Sequence, residues 1–546
     1  MAEPGSTPRP SLRLIAGELV THLAQDVVEI AEVALTGRRP EGDAPPTTSS
    51  TKTSSPRRKA RIAIIGGGIA GLSAAWSLVK DRKVDADITI YESSNSVGGK
   101  LQLLELEGIT LDAGAESLLA VRPEAVAMAK AVGLSSSLVS PSTLSASVFA
   151  NGSLRSLPAG LISGIPTDLR ALAAGDIMSV PGLMRIPLDH VLPKTDLTGD
   201  VSVGDYVATR MGREVVDRLV EPMLGGVYAG QADNLSLEMT VPALYRLAKR
   251  EKSLLVAAKE ARATGAANSG ARKSNAIFAG ISGGVGRLPI ALADRLKRRG
   301  VKFELDAPVS TIRRTTNGWR VAARIDGKSD PQDFDAVVLA VPAPVAAKIL
   351  RKANLGAAKL LDTVPYASVA LATLMYSPDD VPATVTGSGF LVPPVEGFAV
   401  KAATYSYRKW SWVARAGATA RASNGEKRSV AVVRTSLGRF GDPFVQQHSD
   451  DELAAIAVKD LQTIAGFPRT PVASTITRWN DSLPQYTVGH RERMMSAREE
   501  LVSTPGIALC GAAYDGVGIP ACIGSAQFAA GQVVGYLKEQ GRIAHG

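Results

Sequence analysis

The stretch Arg61 to Glu92, RIAIIGGGIAGLSAAWSLVKDRKVDADITIYE, constrains this chain more than any other. It begins as a short apolar run with β-branched members, Ile62, Ile64 and Ile65, the pattern of a buried strand. Glycines interrupt it, and Leu72, Ala75, Trp76 and Val79 resume at helical spacing. Gly66, Gly68 and Gly71 stand at G-x-G-x-x-G intervals, with Gly67, Ile69 and Ala70 between them. The first glycine permits a tight turn, the second lets backbone approach a pyrophosphate, and the third lets helix and strand pack closely. A second strand, Ile88 to Tyr91, delivers Glu92 and then Ser93, roughly 20 residues past the glycines, where an acceptor for ribose hydroxyls belongs. Many helices open after glycine. Strand, helix, strand and acidic end in this order define a dinucleotide site on a Rossmann-like α/β sheet.

At 546 residues the chain exceeds one hydrophobic core, so two or three domains are expected. Apolar content of 45% with 21% charged residues is that of a soluble globular protein. Two cysteines, Cys510 and Cys522, cannot build a disulfide framework and suit a reducing cytoplasm. No CxxC or Cys/His arrangement suggests a metal. The net charge of +10 would attract anionic ligands or a membrane face without selecting either. No nucleic-acid partner is expected.

Residues 1–59 stand outside this pattern. Leu12, Ile15, Leu19, Leu23, Val27, Ile30 and Ala34 recur every three or four positions, as in an amphipathic helix. Glu18, Asp26, Glu29 and Glu32 exclude a secretory signal and a membrane span. Thr36 to Lys59 is rich in Pro, Ser, Thr and Gly, a linker composition expected to be disordered. The helix docks on its own globular body, pairs with itself or engages another protein. Deleting residues 1–55 is expected to leave dinucleotide content and turnover near full-length values, as cofactor analysis and steady-state rates would show. Insoluble or cofactor-free truncated protein would make the helix part of the fold.

After Glu92 come SSNSVGGKLQ and a strand ending in LDAGAES. These resemble the flavoprotein oxidase superfamily of amine oxidases, phytoene desaturases and protoporphyrinogen oxidases. The resemblance implies that Gly98, Gly99 and Lys100 line an FAD diphosphate. It implies equally that the Gly114, Ala115, Glu116, Ser117 turn touches the flavin ring. This chain has Ala115 where the family often has proline. The C-terminal run, a strand Ile507 to Cys510 and then GAAYDGVGIPACIG, resembles the segment along the flavin and ribityl chain. Gly511, Asp515, Gly516, Val517, Gly518, Ile519, Pro520 and Cys522 all match. Val309, after Pro308, matches a valine whose backbone contacts adenine in the superfamily. The implied cofactor is non-covalent FAD.

Two further stretches resemble the porphyrinogen oxidases in particular. One is Ser202 to Ser236, with the core EPMLGGVYAG, and the other is WNDSLPQYTVGH, Trp479 to His490. Amine oxidases lack the first. Within it, Asp205 to Pro222 reads as one helix with Val207, Met211, Val215 and Leu219 on a core face. The hairpin SVFANGSLRSLP turns at Asn151–Gly152, and ATGAANSGARKSN reads as an exposed loop. Ser368 to Tyr376, Gly389 to Val392 and Ser429 to Ser436 read as strands of a second sheet. Arg408 and Lys409 read as solvated, and His490 as structural.

The expected organisation is a flavin domain from 60–145, 276–345 and 501–546, and a substrate domain from 146–160 and 346–500. A helical insertion spans 161–275, and the N-terminal appendage spans 1–59. The implied reaction aromatises a porphyrinogen in three two-electron steps, with FAD reoxidised by oxygen to give hydrogen peroxide. The wording is closer to the Gram-positive coproporphyrinogen enzymes than to the organellar protoporphyrinogen ones. Arg122 aligns with a basic position near the family's active site and is the candidate substrate contact. The substrate and oxygen are the implied partners, with a peripheral membrane contact or another haem-pathway enzyme left open. An amine oxidase or carotenoid desaturase would share the flavin motifs. A cofactor-free binding protein, as in prenyl-GTPase dissociation inhibitors, would lose Glu92 and the C-terminal flavin segment.

Overall fold

The computed structural model describes residues 58–80, 84–270, 277–421 and 425–543. The expected N-terminal helix and nearly all of the linker lie outside them.

Five parallel strands form the first sheet. Their order is Lys302–Glu304, Ala86–Tyr91, Ala60–Ile65, Ala336–Leu339 and Ile507–Leu509. Counted along the chain this is 3-2-1-4-5, the dinucleotide-binding order. Alternate side chains enter two separate cores. Ile62, Ile64, Ile90 and Val338 face one, packed by the helices Ile69–Val79, Arg287–Lys297 and Ile519–Glu539. Ala63, Ile65, Val337 and Leu339 face the other, packed by Ala343–Leu350, Leu355–Asp362 and an antiparallel meander. Burial on both faces explains the uninterrupted apolar runs in the sequence.

The meander, Val309–Thr315, Gly318–Ile325 and Lys328–Phe334, contains a strand the sequence pattern hides. KSDPQDF is polar and carries Pro331, which an edge strand tolerates because its outer N–H groups need no partner. Its turn, Asp326–Gly327, has φ of 48° and 74°, the Asp-Gly hairpin geometry.

Seven strands form the second sheet: Ala473–Pro484, Tyr366–Tyr376, Ala431–Leu437, Val400–Thr404, Gly389–Leu391, Ser147–Ala150 and Ser153–Ser156. The helix Asp450–Ala465 covers one face, against Ala370, Ala372, Val433, Leu437 and Ala403. The expected Asn151–Gly152 hairpin is present, and all three strands expected here are found.

The helical insertion departs from the pattern in two places. Asp205 to Pro222 is not one helix: Val203–Met211 stops at Gly212, whose φ is 100°. A β-carbon there would lie 2.8 Å from Arg185 Cγ, so the close approach of Arg185 requires glycine. The chain resumes through a π-helical turn at Val216–Val220 and ends in Glu221–Tyr228, where Pro222 occupies the first turn rather than the end. Val207, Met211, Val215 and Leu219 are nonetheless all buried in one core. The expected loop ATGAANSGARKSN is helical as far as Gly270, continuing Leu254–Gly270. Among the described residues no helix is long and apolar enough to cross a membrane.

Candidate active site

Three glycines of the first loop are glycine for three different reasons. Gly66 has φ of 109°, and a β-carbon on it would lie 2.5 Å from the Ala340 carbonyl oxygen. On Gly71 a β-carbon would lie 1.9 Å from the Gly66 carbonyl oxygen, so strand and helix could not close together. Gly68 has φ of −73°, available to any residue, and the nearest protein atom to a β-carbon there is Gly99 Cα at 3.9 Å. Neither backbone nor packing requires that glycine. Its environment fits the approach of a group that is not protein, as the pyrophosphate of FAD demands. Gly67, whose carbonyl accepts from Gly98 N–H at 3.0 Å, ties the second glycine pair to the first.

Two helix N-termini converge on this cradle. Ile69–Val79 and Ile519–Glu539 pack along each other, and neither first turn is capped by a side chain. Their free N–H groups and dipoles favour a diphosphate. Ala70 stands opposite Gly511, and Gly511, Gly516 and Gly518 all have φ above 110°. Val517 and Gly518 stay accessible at the mouth of the second helix, and Ile519 is buried at its start. The Asp515 carboxylate accepts from Ser525 and from Arg498, the latter at 2.7 Å, both through Oδ2.

Glu92 accepts from Gly67 N–H at 2.7 Å with one oxygen, and from the Ser94 N–H and the Ser93 and Ser94 hydroxyls with the other. It therefore shapes the phosphate loop as well as offering lone pairs to a ribose. Its carbonyl accepts from Ala307 N–H at 2.9 Å, which brings Val309, two residues on, to the same end of the sheet. Lys100 lies over the ring of Tyr366 and donates to the Ser482 carbonyl. Burial lowers its pKa, yet the residue remains accessible, as happens when a side chain lines an internal hollow. Gly114 is pressed between the Lys100 carbonyl, 2.4 Å from its would-be β-carbon, and Trp479. The Trp479 indole N–H donates to Ala113 O at 3.1 Å, so the second porphyrinogen-oxidase stretch holds the turn.

Glu116 is the electrostatic anchor of that turn, beside accessible Ala115 and partly buried Ser117. Lys409 lies 2.7 Å from its carboxylate and Arg434 3.3 Å, while the Ser406 hydroxyl donates at 2.9 Å. Burial opposes ionisation, but the two cations and their hydrogen bonds outweigh it and hold the pKa at about 2. Arg434 also donates to the Gly114 carbonyl at 2.7 Å. Lys409 is thus not solvated, contrary to the sequence reading, because a buried carboxylate 293 residues away recruits it; Arg408 is exposed as expected. Arg434 went unnoticed in the sequence. The signal was a cation inside the apolar strand AVVRTSL, which calls for a buried anion. Arg122, at the start of Pro123–Ala131, has its guanidinium 2.6 Å from Glu124 and lies near Gly524 of the helix Ile519–Glu539.

Beside the Gly114 turn the second sheet presents an open face. Leu371, Ser436, Ala402 and Leu391 are in register across four neighbouring strands. They lie on the face opposite the helix Asp450–Ala465, and all four remain partly accessible although their strands are central. Arg434 is two residues before Ser436 on the same face, so the row lies directly alongside the Glu116 cluster. His490 is buried nearby: its Nε2 donates to Ala513 O at 2.7 Å, and burial lowers its pKa to about 4. A neutral ring stacked on Tyr486 is structural, as expected. The two stretches singled out in the sequence meet: Gln485 donates to Tyr228 O, and Ser236 N–H to Tyr486 O.

Fold and cradle together define the class, a flavin-dependent oxidoreductase. Residues 69–534 match the family described as flavin containing amine oxidoreductase. Among curated proteins, the coproporphyrinogen III oxidase of Bacillus subtilis is 31% identical over 483 residues, 88% of this chain and 99% of that protein. The coproporphyrinogen III oxidase of Mycobacterium tuberculosis is 33% identical over 485 residues, 87% of this chain and 98% of that one. A crystal structure from Exiguobacterium sp. 255-15, provisionally assigned as a protoporphyrinogen oxidase, superposes with a TM-score of 0.73 at 29% identity, covering 88% of this chain and 99% of that one. The chain belongs to the flavin containing amine oxidoreductases and, within them, to the porphyrinogen oxidases.

Proposed function

We propose that the protein oxidises coproporphyrinogen III to coproporphyrin III in haem synthesis, in the cytoplasm, with FAD held non-covalently. The observation that carries the substrate reading is the row Leu371, Ser436, Ala402 and Leu391 beside the Gly114 turn. Three strand spacings make it about 14 Å long. Three apolar side chains and one hydroxyl offer a floor for a largely apolar macrocycle, which is puckered as porphyrinogen and flat as porphyrin. The named relatives at about 30% identity support the choice of porphyrinogen.

Gly66, Gly67, Gly68, Ile69, Ala70 and Gly71, with Glu92, Ser93, Gly99, Lys100 and Val309, are the residues proposed to hold the adenosine and diphosphate. Gly114 to Ser117 and Gly511, Asp515, Val517, Gly518 and Ile519 would flank the flavin. When bound, FAD supplies two-electron acceptance and reoxidation by oxygen. The chain's contribution is positioning. Glu116, ionised and fully engaged, is poorly suited to take protons; it locks the turn through Arg434. Cys522 does not suit covalent flavin attachment, since burial pushes its thiol up to about 11 and leaves little thiolate at neutral pH.

Aerobic competition between coproporphyrinogen III and protoporphyrinogen IX, followed by porphyrin fluorescence, tests the reading. Coproporphyrinogen III carries four propionates against two, and the expected outcome is a higher kcat/KM for it. Arg122→Ala should lose more on coproporphyrinogen than on protoporphyrinogen if that guanidinium meets a carboxylate. A tenfold preference for protoporphyrinogen IX, about 1.4 kcal/mol, would overturn the substrate assignment and leave the family standing.

A further inference from the structure

Beyond the row of accessible side chains, on the side away from Glu116, the interior holds two cations with no carboxylate at ion-pair distance among the described residues. Lys401 is 3% exposed, and its ammonium donates to Gly438 O at 2.8 Å. Burial first, and then the like charge of Arg439, lower its pKa to about 7. Arg439 donates through Nη2 to Val392 O at 3.3 Å, while its Nη1 is buried with no hydrogen-bond partner. Two acids, Glu221 and Asp442, attract Arg439 only from beyond ion-pair distance. Glu221 accepts from Ala232 N–H at 2.6 Å, and Asp442 from Phe444 N–H at 2.9 Å.

The placement is as informative as the lack of a counter-ion. Along one strand, Arg434 adjoins the flavin turn, Ser436 belongs to the row, and Gly438–Arg439 follow on its far side. Lys401 precedes Ala402 of the row. Arg439 Nη1 lies 3.4 Å from where a β-carbon on Gly225 would stand, and one on Gly226 would stand 3.5 Å from Leu391 Cδ2, the end of the row. The row therefore runs between two basic groups. The one beside the flavin turn is paired with Glu116; the other has acids only beyond ion-pair distance. Burial of unpaired charge is costly, and of two adjacent like charges more so. An anion arriving with the ligand removes that cost.

We propose that Arg439, backed by the charge of Lys401, is a carboxylate-binding subsite that takes propionate groups of a macrocycle lying on the row and directs them away from the flavin turn. Arg439, partly accessible, is the contacting residue, and its free Nη1 is the donor. Lys401 stands behind it as a positioning residue. This rests on the porphyrinogen reading of the same site.

The test uses the FAD-loaded enzyme and two probes with one ring, coproporphyrin III and its tetramethyl ester, titrated by porphyrin fluorescence. Arg439→Gln and Lys401→Met are each expected to weaken binding of the acid about tenfold or more, the loss of a charge-assisted contact, while ester binding and flavin content hold. Arg439→Lys should recover part of the acid affinity. Lys401→Met should also melt no lower than the parent, because it removes a buried unpaired charge. Acid affinity unmoved by both variants, or acid and ester falling together, overturns the proposal. So does a lowered melting temperature in Lys401→Met, which would make its role structural. If the unmodified enzyme oxidises no porphyrinogen and binds neither probe, the function reading fails first. If it oxidises coproporphyrinogen and only the variants behave as the parent, this subsite alone fails.

Discussion

Gly68→Val is expected to purify folded and colourless, with flavin affinity reduced by at least about a hundredfold. The residue's φ of −73° suits valine, and only Gly99 Cα stands within 4 Å of the new β-carbon. The cost to the fold is then that of a poorer helix N-cap, about 1 kcal/mol. The branched side chain would occupy the space the pyrophosphate needs. Gly71→Val is the contrast: its β-carbon would sit 1.9 Å from Gly66 O, so the fold itself should fail. Glu92→Ala should fall between, with reduced FAD occupancy, since it removes both the ribose acceptor and the brace on Gly67 N–H. Absorbance at the flavin bands and thermal melting of apoprotein separate the three. Full flavin content in Gly68→Val would mean that the cradle is misassigned.

Asp189→Ala is expected to cost about 3–5 kcal/mol of stability, the penalty for leaving a buried cation unpaired. Arg210 is 1% exposed at its side chain and Asp189 fully buried. The guanidinium contacts Asp189 through Nε and donates to Pro193 O, Asp189 O and Lys252 O. The carboxylate in turn accepts from the Ser253 hydroxyl and from Leu255 N–H at 2.8 Å. One ion pair thus clamps three segments of the helical insertion. Replacing both partners, Asp189→Leu with Arg210→Met, should cost less than Asp189→Ala alone, because no charge is stranded. Denaturant midpoints followed by helical circular dichroism would show it. A single variant as stable as the parent would mean that the insertion does not depend on the clamp.

Local chemistry made the flavin half of the molecule readable from the chain. The Gly66 to Gly71 loop and the Gly511 to Ile519 turn present backbone, and backbone freedom is written in glycines at fixed spacing, with the Glu92 carboxylate at the end of the strand that follows the first loop. The strands Ala60–Ile65 and Ala336–Leu339 were legible because burial on both faces leaves unbroken apolar runs. The break at Gly212 was not, because the carbonyls of Thr209 and Arg210 at that helix end take their donor, Arg185, from a separate helix. Nor was the partner of Lys409, since a lysine beside tryptophans looks solvated until Glu116 arrives from a turn 293 residues away. The row Leu371, Ser436, Ala402 and Leu391 comes from four separate strands, and register across a sheet is set by packing and turns rather than by any one strand's letters. Motifs that work through their own backbone were therefore determined by sequence alone. Side chains that work through distant partners, Glu116, Arg434, Lys401 and Arg439 among them, took their meaning only from the tertiary structure, because Coulomb forces and desolvation depend on distance in space, not along the chain.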